Sequence, residues 1–177
     1  MQKISNEALG RPDLDTYRQL AKLPVHLVLD NVRSALNVGS VFRSADAFRI
    51  AHIHLCGITA QPPHREISKT ALGATESVPW SYHESTIEAV KALQTDGIKV
   101  YVLEQVEGSI PLEQMPVSAP LAIVFGHEME GVSQDVVDLC DGALEIAQSG
   151  TKHSLNVAVC AGIVCWEVHR KWPHLQE

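Results

Sequence analysis

The sequence lacks the cysteine and histidine patterns that mark disulfide-rich and metal-binding proteins. None of its four cysteines forms a C-x-x-C pair; they are Cys56, Cys140, Cys160 and Cys165. We therefore expect reduced thiols in a cytoplasmic protein, not a disulfide framework or a zinc site. Nine histidines occur, but none belongs to an H-E-x-x-H pattern. We expect no bound metal.

Long apolar runs and an excess of positive charge are also missing. The longest uncharged apolar stretch, residues 157–166, is far shorter than the roughly 20 residues of a membrane-spanning helix. No basic start followed by an apolar run indicates a secretory signal. The formal net charge of −7 disfavours nucleic acid as a partner. It leaves that partner open, because phosphate contacts need only a local basic patch.

The remaining pattern is that of an α/β protein. Residues 1–24 are polar with apolar positions at near-helical spacing, and they predict a helical N-terminal arm before a domain at 25–177. Beyond the arm, strand-like runs alternate with helical stretches, which predicts βαβ units and a mainly parallel sheet. Strands are predicted at 25–30, 52–57, 98–104, 121–126 and 143–147. Helices are predicted at 37–48, 84–95 and 154–171, with a loop-rich stretch at 59–81.

Three short motifs place small and polar residues within this apolar pattern. They are NVGSVFR at 37–43, GHEMEG at 126–131 and SLNVA at 154–158. Because ligands in open α/β sheets gather at the carboxyl ends of the strands, we expect the motifs to converge on one sheet edge. No G-x-G-x-x-G follows a strand and no Walker-A pattern occurs, which disfavours a dinucleotide or P-loop site.

The first motif combines a glycine with an arginine inside a predicted helix. Its apolar residues fall on one stripe, so Arg43 lies on the opposite side with Gly39 beside it. A helical glycine costs about 1 kcal/mol relative to alanine. We therefore expect the space above Gly39, next to the guanidinium, to be needed. The alternative is a solvated arginine beside a tolerated glycine.

The second motif follows a strand directly. Gly126 and Gly131 permit close approach of the backbone to a ligand, and Glu128 between them can accept hydrogen bonds. The alternative is a plain surface turn.

The third motif begins the last helix, which Ser149 or Ser154 is predicted to cap. Asn156 shares a helix face with Cys160 and Ile163, so we predict a buried polar group that needs partners. The alternative is a purely structural hydrogen bond. The helix is apolar nearly all round, and its uncovered side predicts a homodimer interface.

In their order, N-x-G-x-x-x-R, F-G-x-E-x-x-G and S-L-N-V-A resemble the motifs of the SpoU/TrmH group of SPOUT methyltransferases. Residues 69–79 resemble the stretch between the first two, and the similarity covers roughly residues 25–170. It implies a sheet with helices on both faces and a C-terminal trefoil knot, a topology otherwise nearly absent from proteins. It also implies a homodimer that transfers a methyl group from S-adenosylmethionine to a ribose 2′-hydroxyl of tRNA or rRNA.

Carried onto this chain, the resemblance implies three sets of site residues. The catalytic set contains Arg43, with Asn37, Glu128, Ser154 and Asn156 positioning the RNA, the ribose or Arg43. The cofactor would lie in the knot against Leu103, Glu104, Gly126, Ile146 and Leu155. RNA contacts are expected at Arg11, Arg18, Arg65, Lys69, Lys152 and the 170–171 end. The alternative for these last cations is ordinary solvated surface.

The resemblance implies that Arg43 is the base that removes the ribose proton, and a stabilising cation is the alternative role. A guanidinium with a pKa above about 12 is a weak general base, so we favour Arg43 as a cation that stabilises the developing alkoxide. Two other functions remain alternatives: methylation of a base, and RNA binding or assembly without methyl transfer. The presence of Arg43, Asn37 and Asn156 together favours the enzyme.

Overall fold

The structure, a computed structural model, describes residues 1–5, 7–116 and 120–172. Its centre is a seven-stranded sheet in which every neighbouring pair is parallel, in the order β3-β2-β1-β6-β4-β7-β5. The strands are β1 (Leu23–Asp30), β2 (Ile50–Cys56), β3 (Trp80–His83), β4 (Lys99–Leu103), β5 (Ile110–Pro111), β6 (Leu121–Phe125) and β7 (Gly142–Glu145). The predicted α/β fold with a mainly parallel sheet is confirmed.

Helices cover both faces of the sheet. They are α1 (Leu14–Gln19), α2 (Ala35–Ala47), α3 (Arg65–Ala71), α4 (Ala74–Ser77), α5 (Thr86–Thr95), α6 (Gln134–Val137) and α7 (Val157–Lys171), with short 3₁₀ turns at Glu7–Leu9 and Leu112–Gln114. Alternate residues of β1 point to opposite faces. Leu27 therefore joins the core under α2 and α7, while Val28 joins the core under α5 and α6.

The prediction of a loop-rich stretch at 59–81 was wrong. This stretch contains α3, α4 and the start of β3, an edge strand that pairs with β2. The short β5 was not predicted either. Helices α3 and α4 are too short to show a clear apolar period, and their boundaries depend on local capping. The His64 ring, for example, accepts a hydrogen bond from the Glu66 backbone N–H at the start of α3.

The position of β6 brings the strand ends of the site together. It lies between β1 and β4, and all five of its residues are buried. The loops that leave β4, β6 and β7 therefore emerge side by side at the carboxyl edge of the sheet. The trefoil knot stays a prediction from the family resemblance. Within the described ranges, every helix is too short or too polar to cross a bilayer.

Candidate functional site

A cavity of about 600 Å³ opens at the carboxyl edge of the sheet. Its walls are the ends of β4 and β7, the loop after β6 and the segment that enters α7. All five residues predicted to bind a cofactor line it, namely Leu103, Glu104, Gly126, Ile146 and Leu155. Glu128, Ser154 and Asn156 of the predicted catalytic set line it as well. The structure thus brings the second and third motifs into one cavity.

The loop from Gly126 to Gly131 closes on itself. His127 and Gly131 exchange two backbone hydrogen bonds of 3.0 Å, and the His127 ring accepts from the backbone N–H groups of Met129 and Glu130 at 3.2 Å. A Cβ at Gly126 would collide with the backbone of Gly131. The glycine is therefore required first by the closure of the loop itself.

Glu104 fastens this loop to the end of β4. Its carboxylate accepts hydrogen bonds from the backbone N–H groups of Gln105 at 2.9 Å and Val132 at 3.2 Å. Gly131 has a φ of 69°, and a Cβ there would collide with the Glu104 carboxylate. The wall of the cavity is therefore held in place by one side chain and two glycines.

Glu128 connects the loop to the first motif. Its carboxylate accepts from the backbone N–H groups of Arg33 at 3.1 Å and Ser34 at 3.0 Å, and from Asn37 Nδ2 at 3.0 Å. Partial burial acts to raise the pKa of Glu128, but the hydrogen bonds outweigh it, and the pKa lies below its usual range. Glu128 is therefore held as a carboxylate.

The connection continues through two amides. Asn37 Oδ1 accepts from Asn156 Nδ2 at 3.2 Å, and Asn156 Oδ1 accepts from the backbone N–H groups of Ala158 at 2.9 Å and Val159 at 3.4 Å. A carboxylate only accepts and a backbone N–H only donates, so each amide has one satisfactory orientation. Glu128, Asn37 and Asn156 thus form a directional hydrogen-bond chain, which we call the amide relay.

The environment predicted for Asn156 was wrong. Asn156 is exposed and is the N-cap of α7, rather than a buried residue inside the helix. The predicted caps, Ser149 and Ser154, lie before the helix, which begins at Val157 instead of residue 154. An asparagine side chain caps a helix as well as serine does, so sequence alone offered several equivalent starting points.

Arg43 lies away from the cavity. It is exposed on α2, in a separate cleft of about 490 Å³ lined also by Phe48, Lys69 and Thr70. The expectation that Gly39 leaves space beside Arg43 was wrong. Gly39 is buried, and a Cβ there would collide with Thr70 and the Ile67 carbonyl of α3. The glycine allows two helices to pack closely.

The cations predicted to contact RNA differ in their surroundings. Arg18 donates twice to the Glu76 carbonyl, at 3.2 and 2.9 Å, and Lys171 donates to the carbonyls of Glu113 and Met115. Both therefore have structural partners. Arg170 pairs with Glu167 at 2.7 Å. Arg11, Arg65, Lys69 and Lys152 are exposed.

Sequence reasoning missed two contributions to the site. The backbone N–H groups of Arg33 and Ser34 donate to Glu128. Such donors cannot be predicted from the sequence, because every residue except proline has a backbone N–H. Cys160 and His127 also line the cavity. His127 stands inside the second motif, so its position between the two glycines was the available signal.

A histidine cluster lies on the face of β1, β2 and β3 that carries α5. His54 lies 3.0 Å from both His26 and His83, measured between ring nitrogens. Burial, followed by neighbouring histidines, lowers the pKa of His52 to about 4 and that of His54 to about 3. Among the described residues, no group of three or more His, Cys, Asp or Glu side chains is arranged to hold a metal.

The chain is similar in sequence to known proteins. The sequence profile of the SpoU rRNA methylase family matches residues 24–166. The chain is 33% identical over 163 residues to a 23S rRNA (guanosine-2′-O-)-methyltransferase RlmB of Vibrio parahaemolyticus, covering 92% of this chain and 66% of that protein. It is 30% identical over 145 residues to a tRNA (guanosine(18)-2′-O)-methyltransferase of Thermus thermophilus, covering 82% and 74%. The chain thus spans just under two thirds of the first relative.

A solved structure has the same fold. An AdoMet-bound rRNA methyltransferase from Sinorhizobium meliloti superposes with a TM-score of 0.78 at 25% sequence identity. The superposition covers 86% of this chain and 61% of that one.

Proposed function

Because the chain belongs to the SpoU rRNA methylase family, as its motifs predict, we propose that it transfers a methyl group from S-adenosylmethionine to a ribose 2′-hydroxyl of tRNA or rRNA. The observation that carries the proposal is the cavity, where the second and third motifs meet and the amide relay reaches the first. Both relatives named above carry the name of a guanosine 2′-O-methyltransferase. Guanosine is therefore the acceptor to test first.

The cavity fits a cationic cofactor. Its volume of about 600 Å³ lies in the range of small-molecule sites. Four carboxylates line it, from Glu104, Glu128, Glu130 and Glu145, and no lysine or arginine of the described chain does so. This balance suits the sulfonium and ammonium groups of S-adenosylmethionine and opposes a polyphosphate. Leu103, Ile146 and Leu155 offer apolar surface for the adenine ring.

When bound, the cofactor supplies an electrophilic methyl group, so the chain itself must align the ribose and favour loss of its hydroxyl proton. We assign the alignment to the amide relay, whose members are fixed from both ends. We assign stabilisation of the developing alkoxide to Arg43, a permanent cation with several N–H donors. The new O–CH₃ bond replaces the S–CH₃ bond, and the ribose proton passes to solvent.

This assignment requires two copies of the chain. Arg43 does not line the cavity of its own chain. An apolar stripe runs beside both sites: Val159 and Trp166 of α7 are 51% and 55% exposed, and Leu155 at the cavity mouth is 39% exposed. The ring of Phe48, the residue after α2, lies 6.1 Å from the Trp166 ring, measured between ring centroids. Pairing of this stripe with a second copy would cover it and bring Arg43 of one copy towards the partner's cavity.

The test is direct. The purified protein is incubated with S-adenosylmethionine labelled in its methyl group and with total RNA, and the RNA is then digested to nucleosides. Label in 2′-O-methylguanosine is the expected result. Label in a base would favour the alternative acceptor. Absence of label, with RNA binding retained, would favour an assembly factor and refute the proposed transfer.

A further inference from the structure

A third cleft, of about 710 Å³, lies between α1 and the helices α2 and α4. We call it the α1 cleft. Helix α1 is fixed across it at two points. The Tyr17 hydroxyl donates to the Asp46 carbonyl at 2.7 Å, and Arg18 donates to the Glu76 carbonyl at 2.9 and 3.2 Å. The cleft is therefore formed before any ligand arrives. Arg43 lines both this cleft and the smaller one on α2.

Two residues of this cleft adopt an unfavourable backbone conformation. Arg49 follows α2 with a φ of 53°, and Leu72 ends α3 with a φ of 50°. Glycine is the usual residue at such helix ends, because a Cβ is strained in the left-handed region. The third non-glycine residue of this kind in the described chain is Asn31, and asparagine tolerates that conformation. Backbone strain at two positions of one cleft indicates that the side chains of Arg49 and Leu72 have a role in this cleft.

The side chains of the α1 cleft match a nucleotide. Arg11, Arg43 and Arg49 line it, and Leu72 presents apolar surface with 66% of its area exposed. Two carboxylates also line it, and each is directed at a donor of the protein: Asp13 accepts from the Thr16 backbone N–H, and Asp46 accepts from the Ser77 hydroxyl. Glu76 contributes one further, exposed acid. Guanidinium groups suit a phosphate, and an exposed apolar side chain suits the face of a base.

We propose that the α1 cleft holds a single-stranded nucleotide of the RNA substrate that adjoins the methylated one. The identity of the ligand as RNA rests on the proposed function, and the adjoining position follows from Arg43, which lines the cleft. Leu72 contacts the base, and Arg49 contacts the phosphate.

The strain itself supplies the test. The hydrogen bonds of Arg49 with Asp46 and Leu23, and of Leu72 with Ser68, are made by backbone atoms. The variants R49G and L72G keep these bonds and remove the strain, so their melting temperatures should equal or exceed that of the unmodified protein. Binding is measured by fluorescence anisotropy with a short, fluorescein-labelled single-stranded RNA of mixed sequence. Each variant should bind this RNA about tenfold more weakly.

The control is K91A, which removes an exposed cation from α5 on the opposite face of the sheet. It should bind the RNA within about twofold of the unmodified protein. Equal binding by both glycine variants, or no binding by the unmodified protein, would overturn the proposed nucleotide site. Methyl transfer by the unmodified protein is measured in the separate assay with labelled S-adenosylmethionine. Transfer without an effect of R49G or L72G refutes the cleft alone, whereas RNA binding without transfer refutes the proposed function alone.

Discussion

Asn37 and Asn156 stand 119 positions apart in the sequence, yet Asn156 Nδ2 donates to Asn37 Oδ1 at 3.2 Å. This bond joins α2 to the cap of α7, and Glu128 extends the connection to the loop after β6. Three distant segments therefore depend on one another for their relative position. A substitution at one amide should therefore disturb the position of all three segments.

The variant N37D should weaken the fold at neutral pH. It replaces the donor to Glu128 by a second carboxylate, and we expect the free energy of unfolding to fall by roughly 1–3 kcal/mol. Repulsion raises the pKa of the carboxylate pair in the folded state, so the loss relative to the unmodified protein should shrink as the pH falls and the pair takes up a proton. Urea unfolding at pH 7 and pH 5 measures both effects. N37A, which adds no charge, should show no such recovery.

Removal of the Arg43 guanidinium should stop catalysis without loss of the cofactor. We expect R43A to lower the rate of methyl transfer by at least about 100-fold, because the developing alkoxide loses its cation. Calorimetry should give an S-adenosylmethionine affinity within about twofold of the unmodified protein, since Arg43 does not line the cavity. A large loss of affinity would place Arg43 in the cofactor site instead.

Mixed subunits test whether the site is shared. R43A supplies an intact cavity without the cation, and E128Q supplies the cation with a damaged amide relay. If Arg43 acts on the partner's cavity, a mixture refolded together should regain activity in one of the two sites of each mixed dimer. Each variant refolded alone is the control. Activity no higher than the sum of the two variants would show that each chain acts on its own.

The histidine cluster should make stability depend on pH below neutrality. Burial lowers the pKa of His52 to about 4 and that of His54 to about 3 in the folded protein, whereas an unfolded histidine titrates near 6.5. Below about pH 6.5 the unfolded chain binds protons at these histidines and the folded chain does not. Stability is therefore lost as the pH falls towards 4. The slope is at most about 1.4 kcal/mol per pH unit for each histidine.

Urea unfolding between pH 7 and pH 4 measures this slope. H54N keeps a polar side chain of similar size and should reduce the slope. H153N changes an exposed histidine and should leave it unaltered. Parallel curves for H54N and the unmodified protein would contradict the prediction.

The loop after β6 should tolerate no side chain at its first residue. In G126A the new Cβ meets the backbone of Gly131 and Val132, which cannot move aside as a flexible side chain would. We expect a loss of roughly 1–3 kcal/mol in unfolding free energy and at least tenfold weaker binding of S-adenosylmethionine. G150A is the matched control, because a Cβ there meets nothing within 4 Å. Similar behaviour of the two variants would argue against a closed loop.

Much of the fold was predictable because strands that are buried on both faces form plain apolar runs. All five residues of β6 are buried, and its sequence is a continuous apolar stretch. The convergence of the second and third motifs followed from the same reasoning, since Gly126 comes directly after that strand. The residues predicted to bind a cofactor accordingly line one cavity.

The errors share a physical cause, which is that spacing along a chain does not reveal what packs against it. The sequence predicts open space above Gly39 beside Arg43, but α3 occupies that space. The sequence predicts Asn156 inside α7, although several polar residues before Val157 are equally able to cap the helix. The separation of Arg43 from the cavity likewise depends on the packing of α2 and α3 within the complete fold.

The central place of β6 has a consequence for synthesis on the ribosome. Its neighbours β1 and β4 are translated earlier, but they have no bond to each other and must wait for residues 121–125. Until then the nascent chain exposes one edge of β1 and both edges of β4, because β7 is translated later still. Pairing between segments so distant is slow and leaves such edges open to aggregation. Shortened chains that end before residue 121 should therefore need chaperones to stay in solution.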